Sequence, residues 1–219
     1  HVTSELSLDV ISYFQKKGQD ISAETCPHYL FKTEKDVIKV GPYGKINPPI
    51  RSKNDQNKLW KGIKNKTLTI VASDHASFSY KEKLKGKKNF LIAPPGAPWA
   101  ELMLPLMLNA ASKNKLSLKQ IIELMCINPA KRFNIYPKKG IIKKDSDADL
   151  VILDLKKNWT VKAEKLVSKG KRCADLYYGD KIKGTITTTI VNGNIVYEKN
   201  KFIKPKNQEL FVFPENEVK

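Results

Sequence analysis

Apolar residues recur at Leu6, Leu8, Val10, Ile11 and Phe14, a spacing that suits one face of a helix, and Gly18 supplies its stop. The run Ile21 to Thr25 then reads as a short strand. It ends at Cys26-Pro27, where a proline without an amide hydrogen should turn the chain into a loop running through Gly41, Pro42 and Gly44 to Pro48-Pro49. A helix is expected over Asn57 to Asn65. Leu68 to Ala72 is compact, apolar and β-branched, the pattern of a strand buried on both faces, and it delivers Ser73-Asp74-His75. This alternation of helix and buried strand argues for an α/β arrangement of parallel strands joined by crossovers.

The pattern changes after about two or three such units. A lysine-rich loop, Lys81 to Lys88, leads through Ala93-Pro94-Pro95-Gly96 to helices over Glu101 to Ala111 and Leu118 to Met125, the second capped by Ser117. Asn128-Pro129 breaks and restarts the helical run. Beyond Gly140 the signal is all-β: Ala148 to Leu153, Gly184 to Val191, an Asn192-Gly193 hairpin turn, and Ile195 to Glu198. From Phe202 onward the chain is rich in proline and lysine and reads as surface. No internal repeat is present.

At 219 residues and 41% hydrophobic, the chain can bury a substantial core. No apolar stretch approaches the roughly 18 to 20 residues that span a bilayer, and no leader pattern opens the sequence, so a soluble, cytoplasmic protein is expected. Cys26, Cys126 and Cys173 are too scattered for a disulfide framework or a zinc knuckle. The net charge is +18, yet Arg51, Arg132 and Arg172 are the only arginines. Phosphate and base recognition enlists arginine forks with aromatic interleaving, whereas here lysines are spread through every segment, so nucleic acid is not expected as a partner. The positive field could still draw in an anionic substrate. The sequence opens at His1 without a methionine, which suggests a fragment or a cleaved product.

The strongest chemical signal is a buried strand that ends in Asp74-His75, because catalysis in α/β barrels sits at the carboxyl ends of strands. The plain alternative for Asp74 is a cap on the following turn. His1 precedes Thr3 and Ser4, either of which can cap the next helix. His28, just past a strand end, reads as a histidine that pins its loop by hydrogen bonding. Asn47 stands before two prolines that restrict it to extended backbone, presenting its amide rigidly or simply making a turn. Pro94-Pro95-Gly96 offers backbone groups in a fixed shape, with Gly96 allowing close approach of a ligand. Cys26 has no base beside it in sequence and is not read as a nucleophile.

The segments His1-Val2-Thr3-Ser4, Glu24-Thr25-Cys26-Pro27-His28-Tyr29-Leu30, Lys45-Ile46-Asn47-Pro48-Pro49-Ile50-Arg51, Ser73-Asp74-His75-Ala76, Ala93-Pro94-Pro95-Gly96, Leu104-Pro105-Leu106, Asn128-Pro129-Ala130 and Asp147-Ala148-Asp149-Leu150 resemble, in order, the motifs of the cyclic amidohydrolases. The dihydroorotase branch is nearest. The resemblance implies the C-terminal part of a (β/α)8 barrel, strands six to eight, over residues 1–137, and a small composite β-sandwich segment with a tail over 138–219. It also implies a centre of one or two Zn2+ ions. His1 is then the metal-binding histidine ending the sixth strand, and Asp74 the eighth-strand aspartate that binds metal and carries the proton. Asn47, Pro94 and Gly96 belong to segments that hold the substrate ring, and His28 is not a ligand.

The implied reaction is metal-dependent hydrolysis of a cyclic amide, nearest to the reversible interconversion of dihydroorotate and N-carbamoyl-aspartate in pyrimidine synthesis. A metal ion lowers the pKa of water and polarises the ring carbonyl, and Asp74 moves the proton. Alternatives are a hydantoinase or dihydropyrimidinase, an allantoinase, or a non-catalytic amidohydrolase-like subunit. Two departures matter. Asp74-His75-Ala76-Ser77-Phe78 has Phe78 where dihydroorotases carry a second histidine, a feature similar to hydantoinases. The family's first-strand histidines, bridging lysine or aspartate, and fifth-strand histidine are also missing, so His1 and Asp74 alone are too few ligands. The expected partners are therefore a small cyclic amide and the N-terminal remainder of the barrel, with homo-oligomerisation left open and no membrane contact.

Overall fold

The computed structural model describes residues 1–204. Side chains that satisfy otherwise free amides decide where its helices start. Ser4 accepts from the Ser7 amide and opens α1 (Glu5–Lys16). Gly18, with φ of 81°, takes the left-handed turn that ends it. The two-residue strand β1 (Glu24–Thr25) runs straight into α2 (Pro27–Phe31). Helix α3 (Glu34–Val40) opens on a reciprocal Thr33–Asp36 capping box, and α4 (Lys53–Lys64) on a Ser52–Asp55 box. Strand β2 (Ile70–Val71) follows, and then α5 (Tyr80–Leu84), again boxed by Ser79 and Glu82.

The rest of the chain contributes α6 (Ala100–Ser112), α7 (Leu118–Ile122), a π-type turn over Glu123–Ile127, and α8 (Asn128–Arg132). The strands β3 (Leu150–Thr160), β4 (Lys181–Val191), β5 (Asn194–Glu198) and β6 (Lys201–Phe202) complete it. No described helix is long and apolar enough to cross a membrane. The surface tail expected from Phe202 falls almost wholly outside the described residues.

Two expectations are corrected. The loop anticipated from Cys26 to Pro49 is largely helical, because Pro27 occupies the first turn of α2, where a missing N–H costs nothing, and Thr33 with Asp36 nucleates α3. The lysine-rich stretch 81–88 likewise holds α5 and a 3₁₀ turn at Lys85–Lys87, since the Ser79–Glu82 box outweighs the polar composition.

The described chain forms two compact units, His1–Leu106 with Trp159–Ile182, and Met107–Asn158 with the chain from Lys183 onward. Neither is continuous in sequence. In the first unit β1 and β2 pair in parallel, Glu24 opposite Ile70 and Thr25 opposite Val71. The ladder is shorter than the strands expected at Ile21 to Thr25 and Leu68 to Ala72, but backbone bonds extend it. The Thr69 amide donates to Ala23 O at 3.0 Å, and the Ala72 amide to Thr25 O at 3.0 Å. On the other side of β1, the Val2 amide donates to Glu24 O at 2.8 Å and Thr25 Oγ1 donates to Val2 O at 2.8 Å. Beyond β2, His75 forms a parallel bridge with Ala97. Four chain segments thus lie side by side with their carboxyl ends together. In the same unit Leu30, Leu59, Leu68, Trp99, Leu102 and Tyr177 are buried, with the Trp99 and Tyr177 rings edge to face at 5.1 Å between centroids.

The second unit holds a sheet of strand order β3-β4-β5-β6. The expected sandwich therefore appears among the described residues as one sheet. Asn192 and Gly193 both have positive φ, 46° and 77°, the requirement of the tight hairpin turn between β4 and β5. Asp149 accepts the Asn192 amide at 2.8 Å, and the Lys139 ammonium pairs with both Asp147 and Asp149. Burial pushes the Asp149 carboxyl up, but the bonds from Lys139 and Asn192 outweigh it and its pKa is lowered. The Asp147-Ala148-Asp149 motif thus fixes the hairpin.

Leu30 is fully buried, and its replacement by alanine should cost about 2–5 kcal/mol of stability. Urea unfolding should show a lower midpoint with an unchanged slope. An unchanged midpoint would mean that Leu30 does not belong to the core described.

Candidate functional site

The site lies at the carboxyl ends of the parallel segments in the first unit. Hydrogen bonds to β1 hold the segment bearing His1, and β2 runs on into Asp74. His1 Nε2 stands 3.2 Å from Asp74 Oδ1, and His1 Nδ1 contacts Glu24 Oε1. Cys26 Sγ is 3.5 Å from the same Nδ1. One imidazole therefore has a carboxylate at each ring nitrogen. Asp74 adopts φ of 48°, a left-handed backbone that aspartate tolerates better than most residues, and it is held there by its neighbours. Burial raises the pKa of its carboxyl; the His1 amino group opposes this and the Glu24 carboxylate adds to it.

His28 is fully buried in α2, with its ring packed on Tyr29 at 4.1 Å and near Trp99 at 5.8 Å between centroids. Burial lowers its pKa to about 3, so the ring is neutral near pH 7. Nε2 lies 3.6 Å from Asp74 Oδ2, and neither ring nitrogen has a hydrogen-bond partner. The expectation that His28 pins its loop by hydrogen bonding is therefore corrected: it packs as a neutral aromatic wall behind Asp74. Burial also raises the Cys26 thiol far above its ordinary range, against any thiolate role at neutral pH. His75 is exposed and accepts the Ala100 amide through Nδ1 at 3.2 Å, which leaves it facing the start of α6.

The segments of Asn47 and Gly96 meet each other. The Gly96 amide donates to Lys45 O at 3.0 Å, and Tyr29 Oη donates to Pro48 O at 2.9 Å. Asn47 is exposed between those two anchors. The Pro94 carbonyl accepts from the buried Lys83 ammonium at 2.9 Å. Gly96 has φ of 147°, and a β-carbon there would stand 2.5 Å from Ala76 O and 2.9 Å from Phe78 Cε2. Its glycine is thus required by the chain just after Asp74. No hydrogen bond or ion pair joins Asn47 or Gly96 to His1 or Asp74 among the described residues. Glu24, Tyr29 and Lys83 are the polar residues of this region that the sequence did not single out. Glu24 and Tyr29 stand inside the motif around Cys26-Pro27-His28, while Lys83 is hidden in a lysine-rich run.

Among the described residues no group of three His, Cys, Asp or Glu side chains is placed to hold a metal ion. The donor pair His1 Nε2 and Asp74 Oδ1 nevertheless fits two corners of one site. Zinc ligands at roughly 2.0–2.2 Å in tetrahedral array stand about 3.4 Å apart, close to the 3.2 Å observed. Glu24 at the far nitrogen is the kind of partner that fixes the tautomer of a metal-binding histidine.

Comparison with known proteins shows the family of the chain. Residues 13–196 match the profile of the Amidohydrolase family. The L-hydantoinase of Paenarthrobacter aurescens is 36% identical over 217 residues, 99% of this chain and 47% of that protein. The dihydroorotase of Clostridioides difficile (strain 630) is 39% identical over 198 residues, 90% of this chain and 45% of that protein. The solved L-hydantoinase (dihydropyrimidinase) from Arthrobacter aurescens superimposes with a TM-score of 0.86 at 35% identity, covering 93% of this chain and 45% of that one. The chain thus spans about half the length of the relatives it matches.

The neutral state of His28 has a pH signature. The folded protein resists its protonation down to about pH 3, whereas the unfolded chain takes the proton near 6.5. Stability linked to His28 is complete above pH 6.5 and is lost as the pH falls towards 3. His28→Phe should remove that dependence, so wild type should lose on the order of 3 to 5 kcal/mol more than the variant across this window. Parallel stability curves for the two proteins would contradict a buried neutral imidazole.

Proposed function

The chain belongs to the amidohydrolase family, and from that premise we propose that the whole protein hydrolyses a cyclic amide at a metal centre to which His1 and Asp74 contribute ligands. The observation that carries the reading is the 3.2 Å approach of His1 Nε2 to Asp74 Oδ1 at adjoining strand ends. Two donors do not make a catalytic site, so the reading requires further ligands from beyond the described residues. When bound, zinc supplies Lewis acidity towards a carbonyl and acidifies water.

This chain's own residues supply proton transfer and placement. A carboxyl whose pKa is raised by burial is a better proton acceptor than a solvated one, so Asp74 is the general base that takes the proton of the attacking water. The same proton then passes from the Asp74 carboxyl to the ring nitrogen as the amide bond breaks. Glu24 orients the His1 ring, and the His28 ring excludes water from behind Asp74. Asn47 and the backbone at Pro94 and Gly96 hold the substrate ring. In barrel terms, His1, β1 and β2 belong to the sixth, seventh and eighth strands within residues 1–137, and residues 138–219 belong to the small β-domain and its tail.

Dihydroorotate is the substrate favoured by the ordered motifs and by the similarity to dihydroorotases. It differs from hydantoin or dihydrouracil in carrying a carboxylate, which needs a donor or a cation. Phe78, against Gly96, offers neither, and the similarity to an L-hydantoinase extends over nearly the whole chain, so a hydantoinase or dihydropyrimidinase activity is the second reading.

The test uses the whole protein with zinc, assayed on dihydroorotate, hydantoin, dihydrouracil and allantoin. At least one should be hydrolysed, a chelator should abolish turnover, and added zinc should restore it. Asp74→Asn should lower kcat by roughly 10²- to 10⁴-fold, and His1→Ala should lower bound zinc. Less than one equivalent of zinc in the wild type with no turnover on any of the four would point to a non-catalytic subunit, and wild-type kcat in Asp74→Asn would remove the role assigned here.

A further inference from the structure

Lys83 is fully buried, yet among the described residues no carboxylate is bonded to it. Its ammonium donates to two main-chain carbonyls, Lys45 O at 2.7 Å and Pro94 O at 2.9 Å. Those carbonyls belong to separate stretches of chain, one leading to Asn47 and the other to Gly96. A third bond, from the Gly96 amide to Lys45 O, closes the arrangement. A lysine side chain loses more rotamer freedom on burial than almost any other, and an ammonium is costly to desolvate, so its position here is not explained by packing alone. Burial lowers its pKa to about 8, with the nearby Lys45 charge acting in the same direction and Cys173 against it.

We propose that Lys83 is a positioning residue that clamps the two ring-holding segments together, fixing the span between Asn47 and the Pro94–Gly96 backbone. The role rests on the functional reading above and extends it to a residue outside the metal centre. A point cation with three donors can reach two carbonyls that face one another; an apolar side chain of the same length would leave Pro94 O without a partner and Lys45 O with the Gly96 amide alone. The helix carrying it is anchored independently, since Ser79 and Glu82 cap α5, and Gly86 just beyond lies so close to Ala93 and Pro42 that a β-carbon would stand 2.4 Å from Ala93 Cβ. The clamp therefore has a fixed base, and what it sets is the distance between two loops that no regular secondary structure joins.

The experiment compares the whole wild-type protein with Lys83→Met and Lys83→Arg. Amide hydrogen exchange in peptides covering 40–50 and 90–97 should quicken in Lys83→Met by roughly ten- to hundredfold, the worth of a buried group left unpaired. Exchange in β1 and β2 should stay as in wild type. KM for the best cyclic amide should rise by a similar factor with kcat changed far less, and Lys83→Arg should recover part of both effects. Should Lys83→Met fail to fold, 15N-lysine spectra of the wild type decide: a hydrogen-bonded, slowly exchanging Lys83 ammonium signal is expected, and its absence overturns the clamp. Unchanged exchange in a folded Lys83→Met overturns it as well, and faster exchange with an unchanged KM overturns its role in holding the ring. A wild type inactive on every cyclic amide instead sinks the functional reading and the ring-holding role with it, a failure read from the assay and separate from the exchange data.

Discussion

The arrangement depends on a short row of parallel main-chain hydrogen bonds. Val2 bonds to Glu24, Ala72 to Thr25, and Ala76 to Ala97, so that neighbouring segments end at one level. Parallel pairing has a directional consequence that antiparallel pairing lacks: the polar residues that follow each strand emerge on the same side. His1, Glu24 and Asp74 are far apart in sequence and share no local motif, yet this register brings them into contact. A slip of one residue between β1 and β2 would turn Asp74 to the other face and undo the site without disturbing any helix.

Around that row, the structure divides polar work between two kinds of group. At the strand ends the groups are ionisable and partly exposed, and their mutual contacts leave donors that a cation can use. Behind and beside them the groups are buried and committed. His28 is kept neutral, Tyr29 is tied to Pro48, and Lys83 to two carbonyls. The first kind can bind and release protons, whereas the second fixes the surrounding loops. The absence of regular secondary structure over 45–50 and 93–99 makes such ties necessary, because backbone carbonyls outside a ladder or helix have no built-in partners.

Much of this was legible in the sequence, and what was legible shares one property. The apolar run before Asp74, the Asn192-Gly193 turn and the Ser117 cap are signals in which a residue's neighbours in sequence are also its physical partners. Capping boxes are of the same kind: the Thr33–Asp36 and Ser79–Glu82 pairs start helices at Glu34–Val40 and Tyr80–Leu84 within stretches whose proline and lysine content resembles that of loops. The strands within Ile21 to Thr25 and Leu68 to Ala72 are shorter than their apolar runs, since β-propensity marks where a ladder is permitted, while the partner's reach decides where it stops.

The residues that escaped notice are those whose partner lies far along the chain. Glu24 looks like one charged residue in a motif until the His1 ring is set against it, and Lys83 looks like one more solvated lysine in a chain of net charge +18. Composition hides Lys83 in particular: when lysine occurs in every segment, its presence at any one position carries little information. Burial restores that information. A lysine that gives up both water and rotamer freedom without gaining a carboxylate among the described residues must be compensated by the geometry it imposes, and here that geometry joins the loop at Lys45 to the loop at Pro94, whose Gly96 abuts Ala76 and Phe78. The same reasoning separates Lys83 from Lys139, whose two carboxylates account for its position by charge alone.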